Sequence, residues 1–225
     1  MPFDLPLSYA HSFVEWAGTL LTPLAGSAST ALAIVVATLA VRLLLLPLTF
    51  RQIAVERRRA ALAPRVKKLR DQHADDPVRA LTEVSALYRS ERVGTLTTMG
   101  PLLLQAPFFL TLFSLFRLPT VGGEPNALLG HELGGVRLGD HWLDGSLLSV
   151  HSLVFVGLFG LFVGVAMVAA RRLRRLGQPA WLSASPFVSV LFALTVPLAA
   201  VLYLLTSTLW TTLENALLRD RLSRT

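Results

Sequence analysis

The chain has 225 residues, 53% of them hydrophobic, and a formal net charge of +7. This composition excludes an ordinary soluble domain and is typical of a polytopic membrane protein. The basic residues cluster at the ends of apolar runs, as the positive-inside rule requires, so nucleic-acid binding is not expected as a primary role and DNA is not an expected partner. The sequence contains no cysteine, which excludes disulfide bonds, thiol catalysis and a lipid-anchoring cysteine within it.

Residues 1–29 are predicted to form an external amphipathic segment. Tyr9, Phe13, Trp16 and Leu20 recur at helical spacing, which is typical of a helix lying in the membrane interface. The first 30 residues carry two acids and no lysine or arginine. The segment is therefore expected outside, and it lacks the basic start of a cleavable signal peptide.

The first membrane span is predicted at residues 30–50 and contains one charged residue, Arg42. Its distance from the basic cluster at Arg51 places it about 13 Å inside the edge of a ~30 Å hydrocarbon layer. A guanidinium at that depth costs at least about 2.5–3.5 kcal/mol in lipid. Because no acid lies inside an apolar run, water is the expected partner. The hypothesis is a wet groove within the bilayer, with Arg42 in its wall.

Residues 51–92 are predicted to form a cytoplasmic helical hairpin, with eleven basic and six acidic residues. Two short apolar stripes at helical spacing predict its arms: Leu62, Val66 and Leu69, then Leu81, Val84 and Tyr88. Pro64 is expected to kink the first arm. Asp76 is the predicted N-cap of the second arm, with Pro77 at its first helical position. A solvated charged linker remains the alternative.

The rest of the chain alternates apolar runs with charged segments. Residues 176–213 carry no charge and have basic flanks on both sides, so an even number of crossings is expected, with the reversal near Pro197. The prediction is an all-α membrane protein with five transmembrane helices, the N-terminus outside and the C-terminus cytoplasmic. Its remaining segments are span 2 at 93–117, an acidic external loop at 118–147, span 3 at 148–170, a basic cytoplasmic loop at 171–179, span 4 at 180–196, span 5 at 198–217 and a short basic tail at 218–225.

The sequence contains no recognisable catalytic or metal-binding motif, and neither a cofactor nor a metal is expected. Its five histidines fall in loops or at span ends without metal-ligand spacing. Polar residues inside the predicted spans are better candidates for a site. Gln105 lies midway along span 2, and Thr206 and Ser207 begin a hydroxyl-rich stretch of span 5. A threonine in a membrane span more often joins helices or bonds to its own backbone than forms part of a binding site.

Three separated stretches resemble the YidC/Oxa/Alb family of membrane protein insertases. They are RLLLLPLTFRQ (Arg42 to Gln52) ahead of a basic hairpin, ALYRSERVGTLTTMGPLLLQAPFFLTLF (Ala86 to Phe113) and VPLAAVLYLLTSTLW (Val196 to Trp210). Departures from the family pattern are residues 94–98, Ala200, Leu204, the missing lipoprotein cysteine and a short basic tail. The short tail leaves the hairpin as the expected site of any ribosome contact.

The resemblance implies a function and assigns roles to particular residues. Arg42 takes the position of the groove arginine and Gln105 that of the neighbouring glutamine, while Pro101, Pro107, Pro197 and Tyr203 match the framework. The implied function is a non-enzymatic insertase and chaperone of the bacterial plasma membrane. It would move hydrophilic tails of nascent membrane proteins through the groove and release their apolar segments into the lipid bilayer. The ribosome, targeting factors and a Sec translocon are further candidate partners.

Two other functions fit part of the sequence. A small anion channel or transporter could use Arg42 as a selectivity charge, but it predicts an internal repeat or an oligomeric ring, and the sequence has no repeat. A structural assembly factor could scaffold partners through the hairpin, and it predicts that Arg42 is dispensable.

Overall fold

The computed structural model describes residues 4–93, 106–107, 110–144, 149–175 and 179–219, and these are mostly helical. The predicted, mostly helical character of the fold is therefore confirmed. Most of predicted span 2, including Pro101 and Gln105, and the end of the basic tail lie outside the described residues. The chain divides into two compact units, a larger one formed by residues 1–42 and 108–225 and a smaller one formed by residues 43–107.

The N-terminal part of the larger unit contains helix α1 (Asp4–Ala25), a 3₁₀ turn (Gly26–Ala28) and the start of helix α2 (Ser29–Ala61). One face of α1 packs into the core, where Val14 is fully buried. The predicted aromatic stripe lies on the opposite side, with 75% of Tyr9 and 60% of Trp16 exposed. Residues Asp4–Ala25 thus form a helix with one buried side and one exposed aromatic side. The external, membrane-interface location of this segment stays a prediction.

The C-terminal part of the larger unit is built from helices α5 (Val150–Arg175), α6 (Ala180–Ser183), α7 (Ser185–Ala193) and α8 (Leu198–Glu214). Helix α5 packs against α7 and α8. Pro197 is the N-cap of α8 and follows a turn after α7. One helix therefore ends and the next begins at the predicted position, while the reversal across a membrane stays a prediction. The first ten residues of α8 are all buried, which makes α8 the centre of this unit.

The segment before α5 was expected to be a loop, but it contains two short β-hairpins. Strands β1 (Thr120–Val121) and β2 (Glu124–Pro125) are antiparallel, as are β3 (Glu132–Leu133) and β4 (Val136–Arg137). The turn glycines at 122–123 and 134–135 all have positive φ angles, as a two-residue hairpin turn requires. The backbone N–H groups of the first two residues of α8 donate to carbonyl groups of this segment, at 2.9 Å each.

The smaller unit contains the hairpin of helices α3 (Ala63–Gln72) and α4 (Pro77–Ser90), which pack against each other. Helix α2 ends just before Leu62, and Pro64 lies in the first turn of α3. In place of the kink expected at Pro64, the chain has a helix break just before it, and a proline is well tolerated in a first turn. The predicted cap is confirmed, because the Asp76 carboxylate accepts a 3.0 Å hydrogen bond from the backbone N–H of Arg79.

One residue of the predicted apolar face of α4, Leu81, is wrong. Leu81 is 63% exposed, whereas Ala80 and Val84 are buried. Residues 80 and 84 are four apart and share one helical face, and this face is the one that packs inward. Leu62 and Val66 are buried as expected.

Two helical segments among the described residues are long and apolar enough to cross a membrane, Leu7–Ala61 and Val150–Arg175. The apolar helical segment Ala180–Ala193 is shorter. The described part of the chain thus contains two candidate membrane-spanning helices. The five spans and the orientation of the termini remain predictions.

Candidate functional site

Arg42 lies on α2 in the larger unit and is half-buried. Its Nη2 donates a hydrogen bond to the hydroxyl of Ser207 on α8. The sequence left water as the expected partner, because Arg42 has no acidic residue within its own apolar run. The structure adds a hydroxyl from a residue 165 positions away. Glu214 also acts on this guanidinium through a favourable Coulomb interaction.

A cleft of about 390 Å³ opens beside Arg42, and four helices of the larger unit form its wall. Its lining contains two arginines, six hydroxyl side chains and an asparagine, together with four apolar residues. The lining residues are Arg42 from α2; Ala169, Arg172 and Leu173 from α5; Ser185, Pro186 and Ser189 from α7; and Leu204, Ser207, Thr208, Thr211, Thr212 and Asn215 from α8 and the turn that follows it.

Four threonines of α8 donate their hydroxyl protons to backbone carbonyl groups of the same helix. Thr206, Thr208, Thr211 and Thr212 each donate to the backbone carbonyl four residues earlier, at 2.8–3.0 Å. A hydroxyl that donates in this way keeps acceptor capacity for water or for a ligand. This hydrogen bonding within the helix lets an apolar helix carry hydroxyl groups without leaving their protons unbonded.

The structure brings together two of the four side chains that sequence reasoning assigned to the groove. Arg42 and Ser207 are bonded to each other and both line the cleft. Thr206 is buried and bonds to the carbonyl of Leu202, and it is not among the lining residues. Gln105 lies outside the described residues.

Arg172 is the most important lining residue that sequence reasoning did not select. It belongs to the basic run 171–175, which was interpreted as a topological signal only. Ala169, three residues earlier on the same helical face, and the adjacent Leu173 also line the cleft. The sequence did contain one signal, because Ala169 lies three residues before Arg172 and four before Leu173, which places an arginine beside an apolar helical face. The sequence does not say, however, which face of α5 meets α8.

The cleft can attract anionic groups and hold water, and its chemistry is that of a binding site. Two guanidinium groups supply positive charge, and the hydroxyls supply hydrogen-bonding positions that vary with rotamer. Among the described residues, no group of three or more His, Asp or Glu side chains could hold a metal ion. Arg42 and the hydroxyls of α8 can act on a ligand through charge and hydrogen bonds.

Comparison with known proteins gives one family for almost the whole chain. Residues 21–225 match the family described as 60Kd inner membrane protein. Curated proteins named membrane protein insertase YidC are similar over a shorter stretch. The one from Chlamydia caviae is 35% identical over 89 residues, covering 40% of this chain and 11% of the relative. The one from Caulobacter vibrioides is 33% identical over 82 residues, covering 36% of this chain and 13% of the relative.

The matched stretch spans only about an eighth or less of the length of these relatives. The family match, in contrast, includes Arg42, the hairpin and all of α5 to α8. It confirms the resemblance to the YidC/Oxa/Alb insertases that the sequence motifs indicated. The chain belongs to the 60Kd inner membrane protein family, the family of the YidC insertases.

Proposed function

We propose that this chain is a membrane protein insertase of the bacterial plasma membrane, acting without a cofactor or a covalent step. The observation that carries the proposal is the polar cleft in which Arg42 bonds to Ser207. Such a cleft shortens the path of a hydrophilic segment through hydrocarbon. Its positive charge attracts acidic side chains of the translocated tail more strongly than in bulk water, because the surroundings have a lower dielectric constant.

The proposed topology has five membrane spans, with the N-terminus outside and the hairpin in the cytoplasm. The positive-inside pattern supports it, since the hairpin and the 171–179 loop are basic and the 118–147 loop is acidic. A cysteine introduced at Asp140 should react with an impermeant thiol reagent applied from outside, and one introduced at Asp75 should not. The reverse labelling pattern would overturn this topology.

The proposed partners follow from the function. Nascent membrane proteins are the substrates, and the lipid bilayer receives their apolar segments. The hairpin, with its excess of basic residues, is the proposed contact for the ribosome or for targeting factors. Cooperation with a Sec translocon is also compatible with this arrangement.

Arg42 is the residue that tests the mechanism. In proteoliposomes, Arg42→Ala should reduce insertion of a substrate with two acids in its translocated tail by about tenfold or more, the range for a lost hydrogen bond to a charged group. Arg42→Lys should retain most of the activity, because substrate tails vary and a point charge suffices. The same variants are assayed with tails that contain zero, one and two acids.

The assay separates the proposal from its rivals. Equal activity of Arg42→Ala across the substrate series would remove the electrostatic mechanism. Anion flux through the reconstituted protein without any insertion would favour the channel. Loss of folded protein in both Arg42 variants, measured as thermal stability in detergent, would make the arginine structural.

A further inference from the structure

Helices α5 to α8 contain a single acid, Glu214, which is the last residue of α8. This position is unfavourable for the helix by itself, because the C-terminal end of the helix dipole favours cations over anions. A π-helical turn (Asn215–Arg219) follows directly, and such turns often mark functional positions in a helix. Helix stability therefore does not explain why this position carries a carboxylate.

Glu214 lies on the side of α8 that faces Arg42. Ser207, which accepts the hydrogen bond from Arg42, precedes it by seven residues. Residues seven apart point within about 20° of each other around an α-helix. Because helical side chains tilt toward the N-terminus of their helix, the Glu214 carboxylate is directed toward the level of the Arg42 guanidinium. The two opposite charges attract each other.

The Glu214 carboxylate stands behind the lining of the cleft. Its Oε1 is buried and makes no hydrogen bond within the described part of the chain. The neighbouring Thr211 and Asn215 line the cleft, whereas Glu214 does not. Arg42 donates its hydrogen bond to the neutral Ser207 hydroxyl. Glu214 therefore lowers the positive potential around Arg42 without taking the place of a ligand.

We propose that Glu214 is a specificity-determining residue, a resident counter-charge that weakens the preference of the cleft for acidic tails and admits neutral and basic ones. This inference rests on the proposed insertase function and broadens the substrate class of the same site. An acid that approaches Arg42 is repelled by Glu214, because the two carry the same charge. A lysine or arginine of a tail is attracted by Glu214 and repelled less strongly by the cleft as a whole.

A counter-charge also favours release of the transported segment. A lone guanidinium in surroundings of low dielectric constant attracts an acid strongly. Differences in affinity between related ligands appear mainly in the dissociation rate, so a strongly held tail would leave the cleft slowly. Glu214 limits that affinity and allows a tail with several acids to pass.

The test measures initial insertion rates by the full-length chain in proteoliposomes, for tails with two acids, no charge and two lysines. Glu214→Gln removes the charge and nearly keeps the shape of the side chain. It should raise the ratio of the two-acid rate to the uncharged rate by about two- to fivefold, the range for a partly solvated charge pair. It should lower the rate for the two-lysine tail. Glu214→Asp keeps the charge and should keep both values.

Two further variants complete the experiment. Asp75→Asn is the control for total charge, because it removes one acid from an exposed position of the hairpin, and it should change neither value. Asn215→Asp adds a carboxylate at the lining position beside Glu214 and should lower the ratio of the two-acid rate to the uncharged rate. This variant keeps the test decisive even if Glu214→Gln reduces the amount of folded protein.

The outcomes separate this inference from the proposed function. If Arg42→Ala impairs acidic tails while Glu214→Gln and Asn215→Asp leave the ratio unchanged, the counter-charge is wrong and the insertase function stands. If Arg42→Ala has no effect either, the electrostatic function itself fails. A loss in Glu214→Gln that is equal for all three tails would make Glu214 structural and would overturn the inference. Opposite changes for acidic and basic tails would support it.

Discussion

The arginines of the cleft and those of the hairpin are held in different ways. In the hairpin, the Arg59 guanidinium lies 4.9 Å from the ring centre of Tyr88, and Arg65 Nη1 lies 3.0 Å from a carboxylate oxygen of Glu91. Both contacts are on a solvated surface. In the cleft, Arg42 is half-buried and its hydrogen-bond acceptor is the neutral hydroxyl of Ser207.

The difference separates charges that stabilise a surface from charges that can bind a ligand. A carboxylate bonded directly to an exposed arginine uses part of its hydrogen-bonding capacity. A hydroxyl positions the guanidinium without cancelling its charge. This comparison predicts that changes in the cleft alter insertion of acidic substrates, whereas changes in the hairpin alter local stability with small effects on that selectivity.

The largest expected effect in this comparison belongs to Ser207. Ser207→Ala removes the acceptor that positions Arg42, and insertion of a two-acid tail should fall by up to about tenfold, within the range for hydrogen bonds to charged groups. The measurement is the initial insertion rate in proteoliposomes for tails with zero and two acids.

Thr206→Val is the matched control, since it removes a hydroxyl from the adjacent position. Thr206 is buried and bonds to the Leu202 carbonyl outside the cleft. It should leave the preference for acidic tails unchanged. An equal loss in both variants would show that the hydroxyls of α8 act through helix packing and would end the distinction drawn here.

The two hydroxyl positions show what the sequence could predict. Arg42 was identified because a charge inside an apolar run is unusual by itself. Which hydroxyl it meets depends on how α2 and α8 pack, across 165 residues of sequence. Thr206 and Ser207 are neighbours in sequence but point about 100° apart around a helix, so only tertiary structure distinguishes them.

In the fold, too, features that depend on neighbouring residues were easier to predict from the sequence than features that depend on distant ones. The Asp76 cap was predicted, and Pro64 and Pro197 marked the places where the helical pattern changes, because each signal depends on a residue and its immediate neighbours. The hairpins before α5 were missed, because strands of two residues are too short to show an alternating pattern. On the inward face of α4, Val84 was predicted correctly, but Leu81 was chosen in place of Ala80 because both residues are apolar.

The second effect is on the hairpin and should be smaller. Asp76→Ala removes the N-cap bond to the backbone N–H of Arg79 and should lower the local stability of α4 by about 1 kcal/mol. Hydrogen exchange of the first-turn amides of α4, measured in the full-length protein, should become faster. The preference for acidic tails should not change.

Asp75→Ala is the control, since it changes the charge by the same amount one residue earlier in the turn. The local stability of α4 derived from amide exchange should change by no more than about 0.5 kcal/mol. Equal acceleration in both variants would mean that net charge, and not the cap, stabilises the start of α4.

The smallest expected effect concerns the ion pair between Arg65 and Glu91. Their side chains are 63% and 44% exposed, so the pair should contribute about 0.2–1 kcal/mol. A double-mutant cycle of Arg65→Gln and Glu91→Gln, read by hydrogen exchange in α3 and α4, should give this coupling energy at low salt. The coupling should disappear near 1 M salt, where the screening length is about 3 Å. Arg42→Ala should retain its selective effect on acidic tails at moderate salt, because the guanidinium that it removes is half-buried. If the hairpin pair proved as resistant to salt as the cleft, the contrast between a solvated surface charge and a ligand-binding charge would fail.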